Sequence, residues 1–259
     1  MRISLLKFFT VLVLALGLIA CVDTLDTGVD ETSGSDGDEN GETTPPPAAE
    51  AELIYFWFFD GDLANNTELE TIDATFPSEE NEAFIEFISA LEGYPNTNRE
   101  ASMERRNRPT DINYRAEGNN NVDYEDAEGD MRAIQVRDPF TGSNGENTMI
   151  FHLPTTGYED VVFSLASKDE DAAEGLIFDY SVTDGNPEWI TDGLDNNQLF
   201  QELETDEYRL FVLDLIGIEA ANNNPDFKIR VRFDVADGEV NEGDRVTFNN
   251  VALDGVAIN

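Results

Sequence analysis

The residues of this chain that could carry out chemistry are few in kind and very unequal in number. The chain contains one cysteine, Cys21, one histidine, His152, and 55 Asp and Glu among 259 residues. A single cysteine cannot form an internal disulfide bond, and a single histidine cannot complete the ligand sets of the usual transition-metal sites. Alternation in "MIFHLP" places His152 on the side of Ile150 and opposite Phe151, which predicts a structural or surface histidine.

No catalytic motif accompanies these residues. The sequence has no nucleophile elbow, phosphate-binding loop or zinc signature. Glycoside hydrolysis needs two carboxyl groups ~5–9 Å apart across a cleft, but a chain with 55 acids always offers such a pair, so its acids do not by themselves indicate activity. We therefore predict a protein without catalytic residues. A polysaccharide or ester hydrolase that uses two unidentified acids is the alternative.

One predicted loop has the composition of a sugar-binding surface. Trp189 follows a Gly-Asn-Pro turn and precedes "TDGLDNN". An exposed Trp can stack on the apolar face of a sugar while carboxylates and amides bind its hydroxyl edge. A ligand-binding site of Trp189, Asp192, Asp195 and Asn196 is one interpretation, and a Trp folded back on the sheet is the alternative, which we favour for the ring itself. Trp57, in the apolar run "ELIYFWFF", is predicted to lie in the core.

Two predicted turns carry the oxygen ligands that calcium prefers. Asp60 and Asp62 belong to "DGD", and Asp184 and Asn186 belong to "DGN". Neither continues with the spacing of an EF-hand loop, and Asp and Asn are also ordinary turn residues. A structural calcium ion and a plain turn are both open, and no other cofactor is expected.

A cationic island interrupts the acidic chain. In "ASMERRNRPTDINYR", Arg105, Arg106 and Arg108 lie close together. Because arginine binds anions through paired N–H groups, an anionic ligand is one interpretation. We favour the other, pairing with the protein's own carboxylates.

The N-terminus has the features of an export signal that ends at the only cysteine. Arg2 and Lys7 accompany an apolar run over residues 8–19, well short of the roughly 20 residues of a membrane-spanning helix. The tetrapeptide "LIAC" that ends at Cys21 resembles the bacterial lipobox. This resemblance implies a signal peptide over residues 1–20 and a lipidated Cys21 whose acyl chains form a stable anchor. A secretory signal with an incidental cysteine is the alternative.

The residues after the cysteine suggest which membrane holds the anchor and how the chain leaves it. Val22 is not the Asp of the inner-membrane retention signal, which favours the outer membrane. Residues 22–52 carry ten Asp or Glu, no Lys or Arg, and a triple proline, which predicts that residues 21–52 form a lipidated, disordered acidic tether. The acidic stretch also resembles the surface-export signals of Bacteroidota lipoproteins. The formal net charge of −40 excludes nucleic acid as a partner.

From Leu53 onwards the sequence reads as regular short strands separated by turns. The segment "KIRVRFDV" alternates, with Ile229, Val231 and Phe233 on one face and basic residues on the other. We predict an all-β fold over residues 53–259, a jelly-roll-like antiparallel β-sandwich. The segment near 79–92 fits either one short helix or a strand. "DRVTFNNVAL" and "GVAIN" are predicted as two strands.

Two stretches resemble a known kind of module. "NPDFKIRVRFDVADG" with "DRVTFNNVALDGVAI", and "MIFHLPTTGYEDVVFSLASKDE" with "IFDYSVTDGNPEW", resemble jelly-roll modules of secreted and surface proteins of Bacteroidota. These are similar in architecture to carbohydrate-binding modules and usually lack catalytic residues. The turn at Asp184 departs from the usual Asp-Gly-Gly, and Asn250 stands where Asp is frequent, which weakens the case for calcium.

The sequence thus predicts a cellular location for the protein and a general class of function. We predict a non-catalytic, lipid-anchored protein of the outer membrane, exposed at the cell surface, with a polysaccharide as ligand. A structural or interaction protein of the cell envelope, bound to a protein partner, is the alternative.

Overall fold

The computed structural model describes residues 50–59, 63–77, 82–95, 99–106, 132–205, 207–235 and 243–258. These residues are mostly β-strand, with one short helix, α1 (Asn196–Leu199), and a 3-10 turn at Glu219–Ala221. All lie in the unit that runs from Pro47 to Asn259. The strands are β1 (Glu52–Trp57), β2 (Thr71–Asp73), β3 (Phe84–Ile88), β4 (Ser102–Arg105), β5 (Ile134–Arg137), β6 (Thr141–Gly142), β7 (Gly145–Glu146), β8 (Thr148–His152), β9 (Tyr158–Glu170), β10 (Gly175–Ser181), β11 (Phe200–Glu202), β12 (Arg209–Asp214), β13 (Lys228–Asp234) and β14 (Arg245–Ala257).

The strands form two six-stranded sheets and a small hairpin. The first sheet has the order β12-β9-β14-β5-β4, and β1 also pairs with β14; the second has the order β11-β10-β13-β8-β3-β2. Every ladder between these strands is antiparallel. From β8 onwards the long strands alternate between the sheets, so that β8, β10 and β13 lie in the second and β9, β12 and β14 in the first. This is the predicted jelly-roll-like β-sandwich, and the all-β fold class is confirmed.

The core lies between the inner faces of the two sheets. Phe151 of the second sheet contacts Phe163 of the first, with ring centroids 4.9 Å apart, and meets Trp57 edge-on at 6.4 Å. Trp57 is fully buried, and its indole Nε1 donates a hydrogen bond to the carbonyl of Ile72 at 3.1 Å. The predicted core position of Trp57 is confirmed, and so is burial on both faces of β1.

The helix considered near residues 79–92 is absent from the described part of that segment, where the strand alternative is right. Ile85 and Phe87 face the core, while Phe84 and Glu86 are only partly buried. Their spacing of two residues is that of a strand. Pairing with β2 and β8 takes up the backbone hydrogen bonds of this segment, and this tertiary pairing overrides its helical pattern of apolar residues.

The last two predicted strands are a single strand, β14. Its register with β9 shifts between Asn249 and Ala252 and again between Asp254 and Val256. Asn250 adopts φ 48° at the first shift, a conformation that Asn tolerates better than most residues. The bulges let one strand continue through a sequence whose apolar alternation is broken.

Side chains connect the edges of the two sheets where β11 approaches β12. Gln198 donates to the carbonyl of Asp214 at 3.2 Å, and Gln201 donates to that of Val212 at 3.4 Å. These bonds satisfy backbone groups on a strand edge that would otherwise be open to pairing. They also fix the position of α1 and of the loop that precedes it. Among the described residues, no helix is long and apolar enough to cross a membrane.

Candidate functional site

The outer face of the second sheet carries a row of basic side chains. In β13 the inward residues Ile229, Val231 and Phe233 are buried. Lys228, Arg230 and Arg232 alternate with them and therefore project from the outer face. The predicted alternation of this strand is confirmed, and it places three cations in line on a protein with a net charge of −40.

A buried carboxylate holds two of these cations in place. Asp179 of β10 lies directly opposite Arg230 in the strand register. Its side chain is 5% exposed and accepts hydrogen bonds from Arg230 Nε at 2.7 Å, from Arg230 Nη2, and from Arg232 Nη2 at 3.2 Å. Glu146 accepts from Arg232 Nη1 at 3.2 Å. The paired contacts to Arg230 are the strongest geometry for an Arg–carboxylate pair, so this guanidinium has one fixed plane.

Trp189 lies on this guanidinium. Tyr180 and Ile190 form an antiparallel bridge, with reciprocal backbone hydrogen bonds of 3.0 and 2.9 Å. The bridge turns Ile190 towards the core and sets Trp189 beside Ser181 on the outer face. The Trp189 ring centroid is 4.5 Å from Arg230 Cζ, within the range of a cation–π contact. The Trp189 ring therefore packs over the sheet, as the folded-back alternative predicts. The residue is half-buried, so part of its surface stays in solvent.

A second aromatic pair lies farther along the same face. His152 of β8 is opposite Lys228 on one side and Phe84 of β3 on the other. The His152 and Phe84 rings stack with centroids 4.0 Å apart and an interplanar angle of 12°. His152 Nε2 donates to Glu86 Oε2 at 2.9 Å, and the predicted side of His152 in its strand is confirmed.

These side chains form one continuous surface, which we call the Trp189 face. Across the strands its first row runs from Trp189 to Phe84 over four strand spacings, about 19 Å at the usual separation. The row has an aromatic ring at each end and polar groups between them. The Trp189 face consists of Trp189, Asp179, Arg230, Arg232, Lys228, His152, Phe84 and Glu86.

The environment of His152 gives a pH dependence that can be measured. Burial lowers the pKa of His152 below its usual 6.5, against the opposing effect of the hydrogen bond and charge of Glu86. The unfolded chain therefore takes up the proton first as the pH falls. The contribution of His152 to stability is complete above the unfolded pKa of about 6.5 and is lost as the pH drops through the lower folded pKa.

Because the chain has one histidine, its imidazole signal in a proton NMR titration needs no assignment, and we expect a midpoint below 6.5. The free energy of unfolding of the wild type should begin to fall as the pH drops towards the unfolded pKa of about 6.5, and that of His152→Gln should fall less. A midpoint at or above the usual value would contradict the described environment.

The other predicted ligand-binding residues lie in the loop that follows Trp189. Asp192, Asp195 and Asn196 are all exposed. The carbonyl of Asp192 accepts a hydrogen bond from the Tyr180 hydroxyl at 2.6 Å, and the backbone N–H of Asp195 donates to Gln198 Oε1 at 3.0 Å at the start of α1. The structure therefore anchors this loop at the β10 side of the Trp189 face, and its contact with a ligand stays a prediction.

Two of the four predicted calcium ligands lie in the part of the chain that the structure describes. Asp184 and Asn186 lie in an exposed turn, where Gly185 has φ 71° and Thr183 Oγ1 accepts a hydrogen bond from the Glu188 backbone N–H at 3.1 Å. In the part of the chain that the structure describes, no group of three or more His, Cys, Asp or Glu is placed to hold a metal ion. Asp60 and Asp62 lie outside the described residues, as does Cys21, the predicted lipidation site. Calcium binding stays a prediction.

The arginine island lies at the end of β4 in the first sheet. Arg106 forms an ion pair of 2.7 Å with Glu170 of β9, so pairing with the protein's own carboxylates is confirmed for this residue. Arg108 lies outside the described residues.

Sequence analysis did not identify the support beneath Trp189. The alternation of β13 shows that Arg230 faces outward, but Asp179 is 51 positions away in the chain. Likewise Phe84 and Glu86 reach His152 only through the pairing of β3 with β8. The sequence shows that each of these side chains lies on the polar face of its own strand. It does not show which strands pair or in what register, so it does not predict which side chains are in contact.

No family model matches this chain, and no curated protein matches it. Among solved structures, a xylan-binding domain of carbohydrate-binding module family 22 has a TM-score of 0.40 and 13% identity, over 82% of this chain and 97% of that one. The C-terminal family 22 module of Clostridium thermocellum Xyn10B has the same score and identity, over 82% and 98%. The K2 cleaved adhesin domain of Lys-gingipain has a TM-score of 0.39 and 9% identity, over 72% and 99%.

Proposed function

We propose that this protein is a non-catalytic, lipid-anchored module of the cell surface that binds a glycan on the Trp189 face. The observation that carries this proposal is the Trp189 ring stacked on Arg230, whose guanidinium is itself fixed by the buried Asp179. A ring held in this way has already lost its conformational freedom, so binding does not have to order it.

The chemistry around the ring suits a sugar. The solvent-exposed part of Trp189 offers an apolar surface for the C–H face of a pyranose, while Lys228 and His152 supply polar groups for its hydroxyls. Phe84 and His152 offer a second aromatic surface in the same row. The two aromatic surfaces lie in one row whose end positions are about 19 Å apart along the backbone, which favours an extended chain over a single sugar.

The carboxylates of the Trp189 face support a binding role over a catalytic one. Asp179 is enclosed by two guanidinium groups, and Glu86 is hydrogen-bonded to His152. A hydrolase needs one carboxyl group that gives its proton to the glycosidic oxygen and a second one across the bond. The two carboxylates of this face have structural partners instead.

The place of action is proposed from the N-terminal sequence. The signal peptide at residues 1–20, the lipidated Cys21 and the acidic tether would hold the sandwich on the outer membrane, exposed at the cell surface. The tether would let the Trp189 face reach glycans at a distance from the lipid.

The test is a binding panel with one matched pair of variants. The chain without its signal peptide and cysteine is assayed by affinity electrophoresis against β-glucans, xylans, mannans and uronate-containing polysaccharides. We expect at least one to bind and Trp189→Ala to weaken that binding about tenfold, which corresponds to ~1.4 kcal/mol. Tyr208→Ala, which removes a ring lying over Lys168 at 5.4 Å on the other sheet, is expected to bind as the wild type does.

Two outcomes would contradict the proposal. Release of new reducing ends from a bound polysaccharide would favour the hydrolase. Absence of binding across the panel would favour the interaction protein. Exposed apolar side chains at and beyond β12, Leu210, Val212 and Ile216, would then be the first surface to examine.

A further inference from the structure

The outer face of the first sheet collects basic side chains into one cluster. Alternation in β5 and β14 turns Val136 and Val246 to the core, so Arg137 and Arg245 project outward. Further basic side chains join them from β9 and from the segments on either side of β4. We call this set the arginine cluster, and it consists of Arg99, Arg106, Arg137, Lys168 and Arg245.

Each of the five cations forms an ion pair with one of two glutamates, Glu170 or Glu104. Glu170 lies 2.7 Å from Arg106, 3.0 Å from Arg245 and 3.2 Å from Lys168. Glu104, fully buried, binds Arg99 through two hydrogen bonds and lies 3.9 Å from Arg137. Among the described residues these five cations therefore share two carboxylates at ion-pair distance, in a chain whose net charge is −40. Asp138 is a third carboxylate near Arg137 and Arg245, so the cations remain in excess by two.

The strand register brings two of these cations face to face. Arg137 and Arg245 are directly opposite each other in the β5–β14 ladder. Like charges in this position destabilise a sheet, because the side chains start from Cβ atoms only about 5 Å apart. The only ion pair between Arg137 and a described carboxylate is the long one to Glu104.

The environment of Arg245 agrees with an excess of positive charge. Burial and then the charge of Arg106 lower the pKa of Arg245; Glu170 and Asp138 oppose this shift, and Arg137 adds to it. Its Nε is 3.0 Å from Glu170 Oε2 but does not point along a hydrogen bond to it, and within the described residues this buried N–H has no hydrogen-bond acceptor. The described carboxylates around Arg245 therefore do not satisfy all of its N–H donors.

We infer that Arg137 and Arg245, with Arg106 and Lys168 at their sides, form a binding site for a single oxyanion group, a sulfate, a phosphate or a carboxylate. Guanidinium groups bind such groups through paired N–H donors. The side chains of Arg137 and Arg245 are 14% and 28% exposed, which leaves them accessible to a small group. The acidic remainder of the protein repels a dense polyanion, so the ligand is one isolated anionic group, either a free ion or the substituent of a sugar.

The first experiment measures thermal stability in inorganic sulfate against chloride at matched ionic strength. In chloride we expect Arg137→Gln to melt above the wild type, because the like-charge pair is gone. In sulfate we expect the wild type to gain several degrees beyond chloride by binding the ion, and Arg137→Gln to lose that gain. Arg209→Gln removes an exposed arginine, 48% accessible and paired with Glu204, and should respond to sulfate as the wild type does.

Sulfate also stabilises proteins in general by exclusion from their surface. An equal gain in all three proteins, or no gain over chloride in the wild type, would overturn the inference. Calorimetric titration of the wild type and Arg245→Gln with sulfate provides a second test, which does not depend on whether Arg137→Gln folds correctly. We expect saturable binding of sulfate to the wild type and at least tenfold weaker binding to Arg245→Gln.

The same titration distinguishes the two sources of the anion. Inorganic phosphate and sulfate form one arm, and glucuronate and galactose 6-sulfate form the other. Tighter binding of the sugar acids indicates a glycan substituent, and equal or tighter binding of the inorganic ions indicates a free ion. Because Trp189 lies on the other sheet, Trp189→Ala should leave all of these affinities unchanged.

Discussion

Replacing Asp179 with Asn is expected to lower the free energy of unfolding by about 3 kcal/mol, the lower end of the range for breaking a buried ion pair. The side chain is 5% exposed and lies between Arg230 and Arg232. Asn keeps the volume but removes the charge that both guanidinium groups share. Its amide also directs N–H donors at N–H donors. We place the loss at the lower end because both arginines keep about a fifth of their side-chain surface in water.

Urea denaturation of the two proteins measures this loss, and a surface pair supplies the control. Arg209 and Glu204 form an ion pair of 3.3 Å with both side chains about half exposed. Glu204→Gln should change stability by no more than about 0.5 kcal/mol. A loss below about 1 kcal/mol for Asp179→Asn would show that Asp179 is not a buried anchor of the two arginines.

Asp179→Asn should also weaken glycan binding, although Asp179 itself is not expected to contact the ligand. Loss of the carboxylate frees the Arg230 guanidinium, and Trp189 then loses the fixed plane on which it stacks. Asp179→Asn is therefore expected to lower both the stability of the protein and its affinity for the glycan. Measuring glycan binding at a temperature well below the unfolding transition of the variant separates a loss of affinity from a loss of folded protein.

Cys21→Ser is expected to abolish lipid attachment completely. Cys21 is the only cysteine of the chain, and a hydroxyl does not replace the thiol nucleophile that the lipobox resemblance requires. Each buried methylene of an acyl chain contributes ~0.8 kcal/mol to membrane attachment, so loss of the chains removes the anchor.

Cells grown with labelled fatty acid provide the measurement. The wild type and a Val22→Ala control should carry the label and sediment with membranes, whereas Cys21→Ser should do neither. Equal labelling of all three would contradict lipidation at Cys21.

Much of the fold could be predicted from local patterns, because strands with one buried face repeat every two residues. The alternation of β13 is correctly assigned on this basis, and β1 is correctly assigned from its continuous apolar run, which is buried on both faces. The segment at Phe84–Ile88 shows the limit: its apolar residues fit both a helix and a strand, and only pairing with β2 and β8 decides between them. β14 shows another limit, since a bulge at Asn250 lets one strand cross a break in the pattern.

The candidate site was predictable in part for the same reason. A Trp after a turn and before an acidic loop is visible locally, and Trp189 does lie on a sheet face with part of its surface in solvent. The side chains that hold it, Arg230 and Asp179, are brought together by the register of β10 and β13. The facing of Arg137 and Arg245 depends in the same way on the register of β5 and β14. Such non-local registers cannot be read from one sequence.

The two tryptophans offer the most direct test of glycan binding at the Trp189 face. The chain has two indole N–H groups; that of Trp57 is fully buried and bonded to Ile72, whereas Trp189 reaches solvent. In a titration of nitrogen-15-labelled protein with a polysaccharide selected by the binding panel, we predict that the Trp189 indole signal shifts to saturation while the Trp57 signal stays in place. Saturation by the polysaccharide with no change in the Trp189 signal would contradict the account.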